Sequence, residues 1–277
     1  MIQSFVDHST FNFPAGEMHI RLNTDQEFRN ALSHGIKVTW EFQKNEDIVE
    51  LLLYCNALKE AGIRLRELVI PYFPFSRQDR VAVPGECFSL RVMCDLVNGL
   101  NAEKVVVYDP HSPVLTALLK NCSPVTQTQI FRSMLMNVLE DEDHAVLISP
   151  DAGASKKTFD LAKHIPSTFH RGVVECSKRR DPGTGEITGT TVHAAFSLDG
   201  HVCVIVDDIC DGGRTFIEIA KEIRKNHKPK KIVLMVTHGI FSKGLKVFDG
   251  LIDEIFTYKG RYCVTPLLQD TMNRRAV

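Results

Sequence analysis

No cysteine pair in this chain has CxxC spacing, no His/Cys string has the spacing of a zinc site, and no apolar run reaches membrane-spanning length. Several of the eight cysteines (55, 87, 94, 122, 176, 203, 210, 263) lie inside apolar runs and read as small core residues of a reducing compartment. The opening MIQSFVDHSTFNF lacks the basic-then-apolar layout of a signal peptide, so a cytoplasmic protein without a membrane partner is expected. A formal net charge of −1 leaves no global basic field for nucleic acid. Neither a GxxxxGK(S/T) string nor the protein-kinase motif set is present, so any nucleotide chemistry has to use another scaffold. With 44% hydrophobic and 24% charged residues and no low-complexity segment or short repeat, a disordered chain is excluded.

What the 277 residues do contain is alternation, at a length that suits two α/β domains. Short apolar runs predict strands at Ile36–Trp40, Leu68–Phe73, Lys104–Tyr108, Ala145–Ser149, Gly172–Cys176, Val202–Val206, Ile232–Thr237 and Glu254–Tyr258. Between them, helical periodicity covers Glu46–Ala61, Ser89–Asn98, 112–120, 129–139, Ala154–His164 and Thr215–Lys225, with Asn45 and Ser89 as N-caps. Thr265-Pro266 opens a last helix, 265–275, placed against the N-terminal domain. This pattern predicts an α/β fold of two similar domains, 1–140 and 141–277, each a mostly parallel sheet flanked by helices. The boundary is set where DEDH interrupts the pattern, near 138–144.

Ligands of open parallel sheets collect at the carboxyl ends of strands, and the unusual polar residues fall there. In HVCVIVDDICDGGRTF, a buried run ends in Asp207 and Asp208, and Asp211, Gly212, Gly213, Arg214 and Thr215 lead into a helix. Free amides on such a loop cradle one phosphate, helped by the helix dipole. Adjacent aspartates repel phosphate but suit sugar hydroxyls, or a divalent cation bridging them. Together they describe a site for a 5-phosphorylated pentose. The plain alternative is a structural βα turn that happens to be glycine-rich.

Four other strings need weighing. In PYFPFSRQDR, aromatics suit a purine and the forks of Arg77 and Arg80, beside Gln78 and Asp79, suit polyphosphate, although RQDR alone reads as an exposed salt-bridged loop. His111 of YDPH is a metal ligand, a phosphate contact or an ordinary loop residue. Asp151 of SPDAGA is an oxygen donor for Mg²⁺ or simply an N-cap. Lys178, Arg179 and Arg180 open a polar loop to Thr190, either a solvated basic turn or a lid over developing phosphoryl charge. His144, His164 and His193 have no evident partners and read as ordinary.

The 201–216 stretch resembles the PRPP-binding signature shared by type I phosphoribosyltransferases and ribose-phosphate pyrophosphokinases. PYFPFSRQDR resembles the ATP-binding segment of the pyrophosphokinases and has no counterpart in the transferases. On these strings, with YDPH, SPDAGA, SKRR and the Phe13–Glu17 string FPAGE, the chain resembles the ribose-phosphate pyrophosphokinase family over essentially its whole length. The resemblance implies a phosphoribosyltransferase-like fold in both domains. It also implies transfer of the β,γ-diphosphoryl group of ATP to O1 of ribose 5-phosphate, giving PRPP and AMP, with Mg²⁺ as cofactor. Lys178 and Arg180 then stabilise the transition state, and Phe13, Glu17, Arg77, Gln78 and Asp79 bind ATP. Asp207, Asp208 and the 211–215 loop bind ribose 5-phosphate, and His111 and Asp151 contact Mg²⁺. Assembly as a homodimer or homohexamer is also implied, with the Phe13–Glu17 loop reaching ATP across a subunit contact.

The chain departs from the family pattern in places. Ala15 replaces an aspartate or asparagine, Pro110 a leucine and Arg214 a glycine, VAVPGECFS lacks the basic, serine-rich character of phosphate-regulated members, and the segment before TPLL is short. Two rival readings stay open: a phosphoribosyltransferase consuming PRPP, and a non-catalytic subunit partnering an active synthetase.

Overall fold

Strand runs that are apolar throughout need cover on both faces, and the computed structural model of the chain supplies it differently in its two halves. Residues 1–139, 145–166, 170–180 and 187–263 are described. They divide into two compact units, Met1–Thr126 and Gln127–Val277.

The first unit holds β1 (Ile2–Gln3), the hairpin β2 (His8–Asn12) and β3 (Met18–Leu22), α1 (Gln26–His34), β4 (Ile36–Trp40), α2 (Glu46–Glu60) and β5 (Leu65–Ile70). It continues with α3 (Ser89–Gly99), β6 (Lys104–Tyr108), α4 (Pro113–Leu118) and β7 (Cys122–Val125). Its main sheet has the order β1-β4-β5-β6-β7, parallel except for β1, while β2 and β3 form a separate two-stranded sheet. Because β4 to β7 advance in one direction, right-handed crossovers place α2, α3 and α4 on the same face. Leu90, Met93, Cys94 and Val97 give α3 a buried stripe at helical spacing, and it joins Val38, Trp40, Leu68, Ile70, Val105 and Val107 in one core. The residues of opposite parity include a charge ladder across three strands, Lys37 to Glu67 at 2.8 Å and Lys104 to Glu67 at 3.2 Å.

The second unit contains α5 (Gln127–Leu139), β8 (Ala145–Ser149), α6 (Ala152–Lys163), β9 (His170–Arg180), β10 (Ile187–Val192), β11 (Val202–Cys210) and α7 (Arg214–Asn226). Then follow β12 (Lys231–Gly239), a 3-10 turn (Leu245–Phe248), β13 (Glu254–Thr257) and β14 (Gly260–Cys263). The sheet order is β10-β9-β8-β11-β12-β13-β14, with antiparallel edges at β10 and β14. From β8 the chain moves to β9, and from β11 it moves the opposite way to β12. Opposite directions put α6 and α7 on opposite faces, so this sheet has two cores. Phe131, Leu135 and Leu161 pack on Leu147, Val204 and Met235, while Phe216, Ile219 and Ile223 pack on Ile148, Ile205 and Leu234.

Several expectations shift. Helix α5 packs by Phe131 and Leu135 inside the second unit, so the division falls before it, at Thr126, and not near 138–144. Asn45 makes no side-chain cap; Asp47 instead accepts from Gln43 and Lys44 amides at 2.7 and 3.0 Å. Ser89 is the first helical residue of α3, and among the described residues no side chain caps that helix. Part of the polar loop after Arg179 is strand β10, and β9 runs on through Arg180. The expected last helix, His144 and loop residues 181–186 lie outside the described residues. Among the described residues, no helix is long and apolar enough to cross a membrane.

Candidate active site

The topological switch lies between β8 and β11, and the two strands part there. Their pairing ends at Ile148 and Ile205, whereas β11 stays paired with β12 as far as Cys210 and Gly239. The crevice so opened at the carboxyl ends is where open sheets bind ligands. Asp207 and Asp208 on β11, and Asp151 following β8, carry its carboxylates. Burial, then the charge on Asp208 and that on Asp151, pushes the Asp207 carboxyl well above the usual carboxylate range. Asp208 is itself buried and meets Lys157 of α6 at 3.8 Å. Sequence reading missed Lys157, because this pairing arises only from the adjacency of β8 and β11.

Asp151 performs the capping role weighed for it: its Oδ1 accepts from Gly153 and Ala154 amides at 3.0 and 3.3 Å. Ser155 one turn on donates to Glu175 of β9 at 2.5 Å.

Beyond the doublet, the chain turns through Asp211 and Gly212 to Gly213, which has φ +77° and precedes α7. An added side-chain carbon on Gly213 would stand 2.5 Å from Phe248 Cζ, so both backbone angle and packing require glycine. Among the described residues no side chain caps α7, and free first-turn amides such as those around Arg214 and Thr215 suit an anion.

Strand β8 accompanies β9 only to Glu175. Past that point β9 and β10 continue as a two-stranded arm, with Lys178 opposite Thr190 and Arg180 opposite Ile187. The side chains of Lys178 and Arg180 lie outside the described residues. His193, read from the sequence as ordinary, is bonded through Nε2 to Ser177 Oγ at 2.7 Å at the base of this arm. The two positions are diagonal neighbours across the β9–β10 pairing, a relationship invisible until that register is known.

In the first unit, the ends of β5 and β6 are tied together by the Tyr108 amide donating to Pro71 O at 3.2 Å. This brings the start of PYFPFSRQDR beside Asp109 and His111. Phe75 and Asp109 both have left-handed backbones, φ 60° and 42°, a local strain of about 1–3 kcal/mol each that sets the two loops apart from ordinary turns. The Gln78 amide donates to Phe75 O at 2.9 Å, and the Leu90 amide to Gln78 O at 3.3 Å, so RQDR is fastened to α3. Arg77, Gln78 and His111 are exposed, and Asp79 is partly buried beside Arg80 at 4.0 Å. Phe13 and Glu17 belong to the β2–β3 turn, closed by the Phe13 amide on Glu17 O and the Gly16 amide on Phe13 O, each 2.8 Å. The exposed Phe13 ring lies 5.5 Å from Phe11 and 5.8 Å from His19.

The described residues hold no group of three or more His, Cys, Asp or Glu side chains able to enclose a metal. The carboxylates of Asp151, Asp207 and Asp208 are hard oxygen donors of the kind Mg²⁺ takes, one or two at a time, together with water and substrate oxygens. The repulsion that raises the Asp207 carboxyl is the chemistry a divalent cation would relieve.

Residues 3–100 match the N-terminal domain of ribose phosphate pyrophosphokinase, and residues 127–254 match the phosphoribosyl transferase domain. The ribose-phosphate pyrophosphokinase of Thermococcus kodakarensis is 30% identical over 246 residues, 88% of this chain and 81% of that one. That of Mycoplasmopsis pulmonis is 27% identical over 213 residues, 76% of this chain and 64% of that one, so the chain spans under two thirds of this relative. The phosphoribosylpyrophosphate synthetase of Mycobacterium smegmatis shares the fold, with TM-score 0.74 and 19% identity over 91% of this chain and 80% of that one. On the Thermococcus match, backed by both domain matches, the chain belongs to the ribose-phosphate pyrophosphokinase family.

Proposed function

We propose that this protein transfers the β,γ-diphosphoryl group of ATP to O1 of ribose 5-phosphate, giving PRPP and AMP. The observation that carries the reading is the doublet of half-buried Asp207 and buried Asp208 at a switch point, followed at once by a helix start behind Gly213 that has no side-chain cap among the described residues. An anion cradle next to a hydroxyl clamp selects a sugar bearing one terminal phosphate.

In this reading the amides of the 211–215 loop hold the 5-phosphate, and Asp207 and Asp208 orient the ribose hydroxyls. Arg77, Gln78 and Asp79 hold the nucleotide, with Phe13 and Glu17 supplied across a subunit contact of a homodimer or homohexamer. By the family motif, His111 and Asp151 would each contact Mg²⁺ carried by the triphosphate, and the doublet would hold Mg²⁺ on the sugar hydroxyls. When bound, the cation would neutralise phosphate charge. Lys178 and Arg180, carried on the β9–β10 arm, neutralise charge that grows as the bond to the β-phosphorus shifts. The carry-over of these two residues rests on the family motif, and their backbone setting on an arm beyond the sheet edge supports it.

The test is AMP release from ATP that requires both ribose 5-phosphate and Mg²⁺, repeated with GTP because Ala15 removes a usual nucleotide contact. A chain that instead turns over PRPP and a free base without ATP is a phosphoribosyltransferase, and one silent in both assays is a partner subunit.

A further inference from the structure

The loop from Asp211 to Gly213 has a second wall, the turn that follows β12. The Ile240 and Phe241 amides both donate to Cys210 O, at 2.8 and 3.2 Å, so this turn is stitched to the residue just before the loop. Phe241 has a left-handed backbone, φ 49°, and its ring meets Phe248 edge-on at 6.3 Å. Phe248 in turn presses on Gly213. The same two rings therefore brace both walls, and the Gly244 amide closes the turn onto Phe241 O at 2.7 Å. Strain at a bulky left-handed residue persists only where its surroundings over-determine it.

Lys243 stands on this turn. A side-chain carbon on Gly212 would find Lys243 Cε at 3.5 Å, Cδ at 3.6 Å and Cγ at 3.9 Å. The lysine stem thus runs beside the loop, where a side-chain carbon on Gly212 would touch it, and its ammonium lies one bond beyond Cε. Lys243 is exposed, and no described residue makes an ion pair or hydrogen bond with it. Three aspartates, 207, 208 and 211, lie within a few residues of the loop it lines, and none of them forms an ion pair with this cation.

We infer that Lys243 is a further binding residue for the phosphate of a phosphorylated sugar, reaching the cradle from the turn after β12. This rests on the proposed reading of the 211–215 loop as the phosphate site and deepens it. A phosphate monoester carries about −1.5 to −2 charge at neutral pH. A helix N-terminus supplies roughly half a positive charge. A mobile ammonium that approaches as a point charge, without a fork to satisfy, suits the remaining deficit on a rotating terminal phosphate.

The experiment is calorimetric titration, with Mg²⁺ present, of wild type, Lys243→Met and Lys243→Arg with ribose 5-phosphate, inorganic phosphate and ATP as separate probes. Methionine keeps the methylenes on Gly212 and removes only the charge. The expected result is a ribose 5-phosphate Kd weakened by roughly tenfold in Lys243→Met, the size of one exposed charge-assisted contact. Lys243→Arg should recover most of that loss, the Kd for ATP should stay as in wild type, and weaker binding of inorganic phosphate would place the effect on the phosphate itself. Ribose 5-phosphate binding to Lys243→Met as tight as to wild type overturns the inference and leaves the loop reading intact. Equal weakening for ATP overturns it too, as a structural disturbance. Failure of wild type to bind ribose 5-phosphate at all removes the underlying reading, and the inference with it.

Discussion

The Phe248 ring occupies the space that a side chain on Gly213 would need, with Cζ only 2.5 Å from the position of an added carbon. A positive φ of 77° at the same glycine compounds the constraint. We expect Gly213→Ala to cost about 2–4 kcal/mol of stability, the sum of a left-handed alanine and an overpacked contact. Gly212→Ala meets only the flexible Lys243 chain and should stay within about 0.5 kcal/mol of wild type. Urea unfolding of both, with Phe248→Leu added to Gly213→Ala, checks this. The smaller side chain should restore part of the loss, and additive effects would show that the two residues are not coupled.

Asp207 is held above the usual carboxylate range by burial and by the charges of Asp208 and Asp151. A raised folded pKa means the ionised group lowers stability once pH rises past its unfolded value near about 3.9. Asp207→Asn keeps an oxygen to accept the Asp208 amide, now bonded at 2.8 Å, and removes the charge. Without divalent cations at pH 8, Tm should rise by roughly 2–4 °C, the shift that about 1 kcal/mol produces in a chain of this size. Ribose 5-phosphate binding should be lost in the same variant. A lower Tm would mean that the charge is already compensated.

Lys178 sits on the arm formed by β9 and β10, and in the proposed reading it acts only when charge develops on the transferring group. Lys178→Ala should lower kcat by about 10²–10³-fold, the range for loss of one transition-state donor. Calorimetry should find the Kd for ribose 5-phosphate unchanged. A variant that turns over normally removes the residue from the chemistry.

Lys37 and Lys104 flank Glu67 on the first sheet, and the hydrogen bond from Lys37 holds its carboxyl below the usual range. A depressed folded pKa contributes stability above the unfolded value, near about 4.3, that fades as pH falls through the folded value. Both lysines are at least half exposed, so Glu67→Gln should cost no more than about 1 kcal/mol at pH 7 and low salt. The difference should shrink below about pH 4 and in high salt. A difference independent of pH would trace to packing instead.

How much of this was legible in the sequence follows from which signals are local. Parallel strands such as VCVIV are continuous apolar runs, so the alternation and the strand–turn–helix element over Asp207–Thr215 could be read directly. The β2–β3 hairpin was not, because HSTFN is mostly exposed and polar, and MHIRL, although it alternates apolar and polar residues, buries only Ile20 fully and forms no continuous apolar run. Strand β10 hid in a stretch rich in Gly and Thr, which reads as loop until β9 is there to pair with it. Asn45 and Ser89 have capping chemistry, yet neither caps, since a cap depends on backbone angles that residue type does not fix. Lys157 on Asp208, His193 on Ser177 and Lys243 along Gly212 are joined only by strand order and register, so no local pattern announces them.

The most direct measurement is phosphorus NMR of the products after incubation with ATP, ribose 5-phosphate and Mg²⁺. The account expects AMP together with a diphosphate monoester at C1 of ribose 5-phosphate, both phosphorus atoms derived from the β and γ positions of one ATP. ADP with a 1,5-bisphosphate, or ATP left intact beside bound ribose 5-phosphate, would contradict it.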